Sequence, residues 1–447
     1  MSLADPRQAR TFRFVRCMYA SGEAQLVYAF DGGSELVERI AFPDAPELPP
    51  ERERAFAAAL RLLHLIAGVS YYKAGVPNEI VVEGEPLDAE TAELLDAVYL
   101  HGLAEFAYQN KLDLRGRIRF PHAAQAPLVT AASLGLPRRT LVPIGGGKDS
   151  LVAVEKLKSI NEPATAVWIG DSALIAACAE RTGLPTLNLG RRLAPELFEY
   201  NRIGAWNGHI PVTAINSAIL VCAALLYGYD AIAFSNERSA SAATLEYQGQ
   251  VVNHQWSKSL EFERRLRAYV ASHIAADLDY FSLLRPWSEL AVTRAFAQTT
   301  RYDDAFSSCN RNFRIRGERP ADRWCGQCPK CHFVFLSLAP FTAKPRLLAI
   351  FGRNLLDDAS LAPGYDALLE YRDHKPFECV GEGVESRAAM YTLSQRPEWR
   401  EDALVARFAE EILPELDRAE LALEPLLAPS AEHCLPARLR ELADATR

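Results

Sequence analysis

The chain has 447 residues, of which 49% are hydrophobic and 24% charged, the balance of a globular protein with a large core. Its 49 lysines and arginines against 57 aspartates and glutamates give a formal net charge of -8. This charge argues against a general nucleic-acid binder, although it leaves room for a local basic patch. No signal peptide is evident in residues 1–22, and no uninterrupted apolar run approaches the roughly 20 residues of a membrane span. The expected location is the cytoplasm, where cysteines remain thiols or metal ligands.

Residues 1–137 have the pattern of an α+β domain. Apolar and β-branched runs separated by turn signals predict an antiparallel meander, followed by helices around a further strand. The predicted elements are strands at 12–15, 25–30, 36–42 and 79–82, and helices at 51–67 and 89–110. No catalytic motif stands out here, so the predicted role is a scaffold or a wall of the substrate site.

From residue 138 the pattern changes to alternating strands and helices, which we assign to a domain over 138–305. The predicted elements are strands at 141–144, 164–169, 185–189 and 231–234, and helices at 151–160, 172–182 and 215–227. Pro143 is awkward within a central strand and suggests that pairing ends there. Repeated βα units predict a parallel sheet that binds its ligand at the carboxyl ends of the strands.

The most informative segment is Leu-Val-Pro-Ile-Gly-Gly-Gly-Lys-Asp-Ser at 141–150. An apolar run, three glycines and a helical pattern predict a strand, a tight loop and a helix N-terminus, whose N–H groups can surround a phosphate. Lys148 would add a mobile positive charge, and Ser150 a hydroxyl donor. Asp149 could hold a Mg²⁺ that bridges phosphate oxygens. The loop is therefore predicted to bind an anion.

Three kinds of nucleotide loop compete for this segment. A Walker-type loop fails because Val142 and Asp149 occupy the places of its first glycine and its Ser or Thr. A dinucleotide fingerprint is a weaker alternative because Ser150 stands where Gly or Ala belongs, although Asp171 lies at a plausible distance downstream. The segment resembles the Ser-Gly-Gly-x-Asp-Ser pyrophosphate loop of the N-type ATP pyrophosphatases, with Gly145 in place of the serine.

That resemblance implies a parallel-sheet α/β domain of the adenine nucleotide alpha hydrolase type, which cleaves ATP between its α and β phosphates with Mg²⁺. The residues it assigns to ATP are Gly145, Gly146, Gly147, Lys148, Asp149, Ser150 and, after the next strand, Asp171.

A polar segment at 236–239 follows the strand at 231–234 directly. It is either an ordinary loop or part of a site, and its position at the carboxyl edge of the sheet favours a site. Asn236, Arg238 and Ser239 are the predicted substrate ligands. Glu237 could hold Mg²⁺ or accept a proton.

A cysteine cluster follows, for which we assign a module over 306–345. The spacing Cys-x-x-Cys-x-x-Cys and an earlier cysteine predict a structural Cys₄ zinc site. Its ligands would be Cys309, Cys325, Cys328 and Cys331. An iron–sulfur cluster is the rival, but its motif needs a cysteine at Phe335. The remaining cysteines, Cys222 and Cys379 among them, are predicted to be small buried side chains.

Arginines lie between the cysteines of this module. Arg311, Arg314 and Arg316 could form a solvated surface, or they could bind a diphosphate or an RNA backbone. The region 346–447 shows helical periodicity and is predicted to be a helical C-terminal region.

Two families combine these features. The pyrophosphate loop followed by the cysteine module is similar to the cyano-deazaguanine synthases of tRNA queuosine biosynthesis, but those enzymes are much shorter and lack both flanking regions. The length, the Gly-Gly-Gly-Lys-Asp-Ser loop, the Asn-Glu-Arg-Ser segment and the cysteines together resemble the bacterial UDP-N-acetylmuramoyl-L-alanyl-L-glutamate epimerases of peptidoglycan precursor synthesis.

The second resemblance implies ATP-dependent epimerisation of a terminal L-glutamate to D-glutamate through an acyl-adenylate, with AMP and pyrophosphate released. The partner would be a nucleotide-sugar dipeptide, and the oligomeric state stays open. Candidate catalytic residues are Lys148, Asp149, His209, His254 and Glu237. A tRNA-modifying enzyme, which the arginines favour, and a non-catalytic nucleotide-binding protein, which Gly145 favours, are the alternatives.

Overall fold

One continuous β-sheet is the centre of this computed structural model, which describes residues 4–124, 130–313 and 320–444. The strands are β1 (Thr11–Ala20), β2 (Glu23–Phe30), β3 (Leu36–Ala41), β4 (Glu79–Val82), β5 (Thr140–Pro143), β6 (Ala164–Ile169), β7 (Thr186–Arg192), β8 (Ala231–Phe234), β9 (Leu245–Tyr247), β10 (Gln250–Val252) and β11 (Asp279–Ser282). Within the described residues, nine of them form the sheet in the order β11-β8-β5-β6-β7-β3-β2-β1-β4, and β9 and β10 form a separate hairpin.

Helices cover both faces of this sheet and make up most of the C-terminal region. They are α1 (Pro50–Ala67), α2 (Val69–Gly75), α3 (Ala89–Gly102), α4 (Ala104–Asn110), α5 (Lys148–Ser159), α6 (Ala173–Thr182), α7 (Glu196–Arg202), α8 (Val212–Tyr227), α9 (Leu260–Tyr269), α10 (Glu289–Ala297), α11 (Pro329–Leu338), α12 (Lys344–Phe351), α13 (Ala362–Leu369), α14 (Gly383–Ser394), α15 (Ala403–Arg407), α16 (Leu423–Leu427) and α17 (Glu441–Asp444).

The strands β5, β6, β7, β8 and β11 are parallel to one another, as the βα pattern predicted. The chain passes from β5 through β6 to β7 on one side, and then returns to place β8 and β11 on the other side of β5. The strand order therefore reverses between β5 and β8, and a crevice opens at the carboxyl ends of these two strands. The loop at 145–147 leaves β5 at this crevice.

The N-terminal strands continue the same sheet. β1, β2 and β3 form the predicted antiparallel meander, and β3 pairs with β7. A buried ion pair reinforces this junction, because Arg191 Nε donates to Glu38 Oε1 at 2.7 Å. The predicted division at residue 137 therefore does not separate two sheets.

Side chains of the parallel strands alternate between two apolar cores. Leu141, Ile232 and Tyr280 belong to the core that contains α1 and α8. The other face of these strands carries Val142, Ala233 and Phe281, which belong to the core that contains α5, α10 and the C-terminal helices. Since both faces are buried, these strands appear in the sequence as continuous apolar runs.

The predicted elements of 138–305 are confirmed, and β5 ends at Pro143 as expected. The predicted helical C-terminal region is not made of continuous helices throughout, because α15 ends at Arg407 and a π turn leads into a short 3-10 turn that contains Pro414. Proline lacks the N–H group that a continuing helix requires.

The segment Pro50–Gly75 is long and apolar enough to cross a membrane by length and composition, which the sequence analysis did not anticipate. Its apolar window is 83% buried inside the protein, as in the core helix of a globular fold.

Replacement of a core side chain of α8 should destabilise the whole sheet. Ile219 is fully buried in the core that contains α1 and α8, so Ile219→Ala should lower the free energy of unfolding by about 2–5 kcal/mol. On the same helix, Val212 is 45% exposed, and Val212→Ala should cost less than about 1 kcal/mol. Equilibrium urea denaturation measures both values. Equal losses would contradict the packing described here.

Candidate active site

The glycine loop after β5 is a tight turn that leads directly into α5. Gly146 has a φ of 78°, which favours glycine. Gly147 caps the N-terminus of α5, and a Cβ atom at Gly147 would lie only 2.5 Å from Ser308 Oγ. Ser150 braces the loop, because its hydroxyl donates to the Gly147 carbonyl at 3.1 Å and accepts from the Gly145 N–H group at 3.3 Å.

The environment of Lys148 differs from the one that its predicted role implied. Its side chain is fully buried, and its Nζ pairs with Asp149 Oδ1 at 2.5 Å and with Glu289. Burial would lower the pKa of Lys148, but these two carboxylates outweigh it and raise the pKa above its ordinary value. Lys148 was predicted to be a mobile cation at the loop, whereas its ammonium group is paired with two acids inside the protein.

A cavity of about 240 Å³ opens in front of this loop. The residues that line this cavity are Gly145, Gly147, Asp149, Ser150, Ser235, Asn236, Glu237, Gln255, Lys258, Glu289, Ser308, Asn310, Phe313, Lys330 and Cys379. Sequence reasoning missed two cations among them, Lys258 and Lys330. Lys330 lies inside the Cys-x-x-Cys-x-x-Cys spacing, so the cysteine motif itself was a usable signal for it.

The acids of the cavity are in different ionisation states. Burial would raise the pKa of Asp149, but Lys148 and Lys330 lower it, so this carboxylate is charged. Burial raises the pKa of Glu237 to about 8, with a further contribution from the charge of Glu289. Below that pH Glu237 is protonated, and it can donate a proton.

A buried ion pair holds Glu237 in place. The Nη1 atom of Arg285 donates to the Glu237 carbonyl at 2.6 Å. Arg285 Nε in turn pairs with Glu263 Oε2 at 2.9 Å, and both side chains are only 2% exposed. Removal of either partner would leave a buried charge unpaired, which typically costs about 3–5 kcal/mol.

The segment 236–239 is divided between the cavity and the protein interior. Asn236 and Glu237 line the cavity, as predicted. Arg238 does not line it, because its guanidinium donates to the carbonyls of Leu426 and Ala428. The Ser239 hydroxyl donates to Glu385 Oε2 at 2.6 Å in the buried interior. The substrate roles predicted for Arg238 and Ser239 therefore do not fit this geometry.

The other predicted ligands lie outside the cavity wall or outside the described residues. Asp171 follows β6 at an exposed position and is absent from the lining residues described above. Arg311 is exposed beside Asn310, which does line the cavity. Arg314 and Arg316 lie outside the described residues.

The two predicted histidines lie together. The rings of His209 and His254 are 4.4 Å apart, and both face Glu105, to which His254 Nδ1 is hydrogen-bonded. Burial lowers the pKa of His209 to about 3, so His209 is neutral. Burial would also lower the pKa of His254, but its bonds to Cys379 and Glu105 raise it to about 9.

Cys379 connects this histidine pair to the cavity. Lys258 Nζ donates to Cys379 Sγ at 3.2 Å, and His254 lies within hydrogen-bonding reach of the same sulfur. Burial would raise the pKa of the thiol, but Lys258 and His254 together hold it well below its ordinary value. The prediction that Cys379 is a small buried side chain is therefore wrong, since the residue is only half-buried and lines the cavity.

The four predicted metal ligands meet at one point. The sulfur atoms of Cys309, Cys325, Cys328 and Cys331 all lie within 4.8 Å of one another. Sulfur–sulfur distances are 3.7 Å for Cys325 to Cys331 and 3.4 Å for Cys328 to Cys331. A tetrahedral zinc with Zn–S bonds of ~2.3 Å separates its sulfurs by ~3.8 Å, so the donor set fits a single zinc ion. An iron–sulfur cluster would hold the sulfurs farther apart.

The cysteine module also forms part of the cavity wall. The Ser307 N–H group donates to the Gly146 carbonyl at 2.9 Å, which attaches the module to the loop. On α11, Lys330 Nζ lies 3.7 Å from Glu289 Oε1 and donates to the Cys379 carbonyl. A metal bound by these cysteines would therefore fix the positions of Ser308 and Lys330 in the cavity.

Family models match most of the chain. The model of the MurL N-terminal domain matches residues 3–283, and that of the MurL C-terminal domain matches residues 305–422. The break between the two matches lies just before the cysteine module.

Curated relatives match over nearly their whole length. A UDP-N-acetyl-alpha-D-muramoyl-L-alanyl-L-glutamate epimerase of Xanthomonas oryzae pv. oryzae is 62% identical over 99% of this chain and 98% of its own. Proteins of the same name from a Micromonospora species and from Salinispora tropica are each 42% identical. The alignment with the Micromonospora protein covers 96% of both chains. The alignment with the Salinispora tropica protein covers 94% of this chain and 92% of its relative.

The cysteine module should contain stoichiometric zinc. Elemental analysis of the purified protein is expected to find one zinc ion per chain, and Cys331→Ser should lose it because a thiolate ligand is removed. Cys434→Ser is the matched control, since Cys434 lies outside the cluster and should leave the zinc content unchanged. Iron with visible absorption in the wild-type protein would contradict the zinc assignment.

Proposed function

Since the chain belongs to the MurL epimerase family, we propose that it catalyses the ATP-dependent epimerisation of the terminal L-glutamate of UDP-N-acetylmuramoyl-L-alanyl-L-glutamate. The products would be the D-glutamyl epimer, AMP and pyrophosphate, formed in the cytoplasm for peptidoglycan precursor synthesis. The observation that carries the proposal is the cavity in which the glycine loop faces two lysines, buried acids and a cysteine. This cavity offers both phosphate binding and proton transfer.

Adenylation solves a chemical problem of this reaction. An α-proton beside an ionised carboxylate is very difficult to remove, because the carbanion would form next to a negative charge. Attack of the α-carboxylate on the α-phosphate of ATP gives an acyl-adenylate and releases pyrophosphate. The Cα proton beside the resulting mixed anhydride is far more acidic, so a side chain can remove it.

The phosphates are proposed to lie against the loop at 145–150. The loop presents backbone N–H groups and the N-terminus of α5, both of which favour anions. Lys258 and Lys330 supply positive charge on the facing wall, in the place of the mobile charge expected from Lys148. These two side chains would stabilise the pyrophosphate as it leaves.

Asp149 is the residue best suited to hold Mg²⁺. Its carboxylate lines the cavity and is ionised because Lys148 and Lys330 lower its pKa. Oxygen ligands of this kind suit Mg²⁺, which neutralises phosphate charge when it is bound. Lys148 then acts by positioning Asp149, with which it shares an ion pair.

Glu237 is proposed to transfer a proton to or from Cα. It is buried in the cavity wall, and its pKa of about 8 keeps it protonated at neutral pH. A general acid acts best when its pKa is near the working pH. His209 and His254 do not line the cavity described above, so they would act on the reaction only through a neighbouring group.

The substrate must extend beyond this cavity. About 240 Å³ is smaller than the roughly 300–1,000 Å³ of most ligand pockets. The cavity would therefore hold the triphosphate and the reacting carboxylate, while the nucleoside and the sugar nucleotide lie outside it. Arg311, which is exposed at the margin, is a candidate ligand for the diphosphate of the sugar nucleotide.

The family matches favour the epimerase over the other two functions that the sequence allowed. They cover both the loop and the cysteine module with the two MurL models. A cyano-deazaguanine synthase or another tRNA-modifying enzyme would need a different substrate site beside the same ATP loop. A non-catalytic nucleotide-binding protein would not need a thiol of lowered pKa beside buried acids in the cavity.

The direct test combines the proposed substrate with a variant of the loop. Wild-type protein with ATP, Mg²⁺ and UDP-N-acetylmuramoyl-L-alanyl-L-glutamate should form AMP and release D-glutamate after hydrolysis of the product. Asp149→Asn should lower the rate of AMP formation by about 100-fold or more, because the anionic Mg²⁺ ligand is lost.

The control for this variant is Asp113→Asn, which removes an exposed carboxylate that pairs with Arg115. Its rate of AMP formation should match the wild type. Thermal melting verifies that both variants are folded. AMP formation that does not depend on the dipeptide substrate would contradict the proposed function.

A further inference from the structure

We propose that Cys379 is the base that removes the α-proton from one face of the adenylated glutamate, with His254 and Glu105 as positioning residues. This inference rests on the proposed function and deepens it. It identifies a proton-transfer group that neither the cysteine motif nor the loop motif contains.

The position of Cys379 is the first support. Its side chain lines the cavity together with Gly145 and Asp149 of the loop. An acyl-adenylate formed at that loop would have its Cα within the same small space. In the part of the chain that the structure describes, Cys379 is the only cysteine among the lining residues of this cavity.

The neighbours of Cys379 support an ionised sulfur. Lys258 Nζ donates to the sulfur at 3.2 Å, and His254 faces it from the segment just before Lys258. On α11, Lys330 donates to the Cys379 carbonyl and adds a second ammonium group. Glu378 precedes Cys379 in sequence, but its carboxylate accepts a hydrogen bond from the backbone N–H group of Lys330 at 3.1 Å. Positive charge therefore predominates around the thiol.

Glu105 completes a chain of three residues. It accepts a hydrogen bond from His254 Nδ1, and the same imidazole lies within hydrogen-bonding reach of Cys379. Lys73 and Lys258 add positive charge at this cluster, and this charge disfavours a metal cation between Glu105 and the two histidines. The chain Glu105, His254, Cys379 is the arrangement by which a carboxylate orients an imidazole and an imidazole activates a thiol.

The proton balance uses two groups of the cavity. The Cα–H bond breaks, the proton forms an S–H bond on Cys379, and the electron pair moves into the acyl carbonyl as an enolate. The carboxyl group of Glu237 then gives its proton to the opposite face of Cα. Cys379 ends as a thiol and Glu237 as a carboxylate, and exchange with water restores both groups.

The test separates adenylation from proton transfer. Wild type, Cys379→Ser and Cys434→Ser are each assayed for substrate-dependent exchange of labelled pyrophosphate into ATP, and for epimerisation. Cys379→Ser should keep the exchange rate within about 2-fold of the wild type. It should lose epimerisation by about 100-fold or more, the usual contribution of a general base. Cys434→Ser should match the wild type in both assays.

Each other outcome has a definite meaning. Epimerisation retained by Cys379→Ser would overturn the inference while the proposed function stands. Parallel loss of pyrophosphate exchange and epimerisation in Cys379→Ser would also overturn it, because the residue would then serve adenylate formation. Absence of exchange in the wild-type protein would refute the proposed function, and the inference with it.

The positioning role of His254 has its own readout. In the wild type, the rate of Cys379 alkylation by iodoacetamide, followed by mass spectrometry, should stay high well below the ordinary thiol pKa of about 8.5. His254→Gln should move the midpoint of this pH profile upward, because a cation beside the thiolate is lost. A wild-type midpoint near the ordinary value would overturn the assignment of an ionised base.

Discussion

A buried ammonium group, that of Lys148, is the interaction on which the candidate site depends. Its Nζ pairs with Asp149 of the glycine loop and with Glu289 at the start of α10, and Glu289 also faces Lys330 on α11. A buried charge that loses its partner typically destabilises a protein by about 3–5 kcal/mol. Three elements that are distant in sequence are therefore held in one relative position. Because that position defines the cavity, stability and the geometry of the proposed reaction depend on the same ion pairs.

The cysteine module extends this network rather than forming a separate unit. Its first segment is hydrogen-bonded to the loop through the Ser307 N–H group, and its helix carries Lys330 to Glu289 and to the Cys379 carbonyl. A zinc ion in this module would have no open position for chemistry, since four thiolates fill a tetrahedron. Its contribution would be to keep Lys330 and Cys379 in fixed relative positions in the cavity wall. This role would account for the position of the cysteine cluster beside the glycine loop.

The sequence predicted those parts of the fold that depend on local pattern. The strands β6 and β8 were predicted with correct bounds, because each is a short apolar run with turn signals at both ends. The loop at 145–150 was recognisable because its residues are contiguous. Glu289 and Cys379 were not recognisable, since they meet the loop only after the sheet and the C-terminal region have packed. Lys148 and Glu289 are 141 positions apart in sequence. Their pairing is a tertiary contact that no local sequence pattern predicts.

A labelled oxygen atom tests most directly whether the α-carboxylate of the substrate attacks the α-phosphate of ATP at the loop between β5 and α5. If the glutamyl α-carboxylate carries ¹⁸O, acyl-adenylate formation transfers one labelled oxygen to AMP when water attacks the carbonyl carbon. Mass spectrometry of AMP should therefore show a single ¹⁸O atom. AMP without the label would contradict the account, because the α-carboxylate would then not have been adenylated.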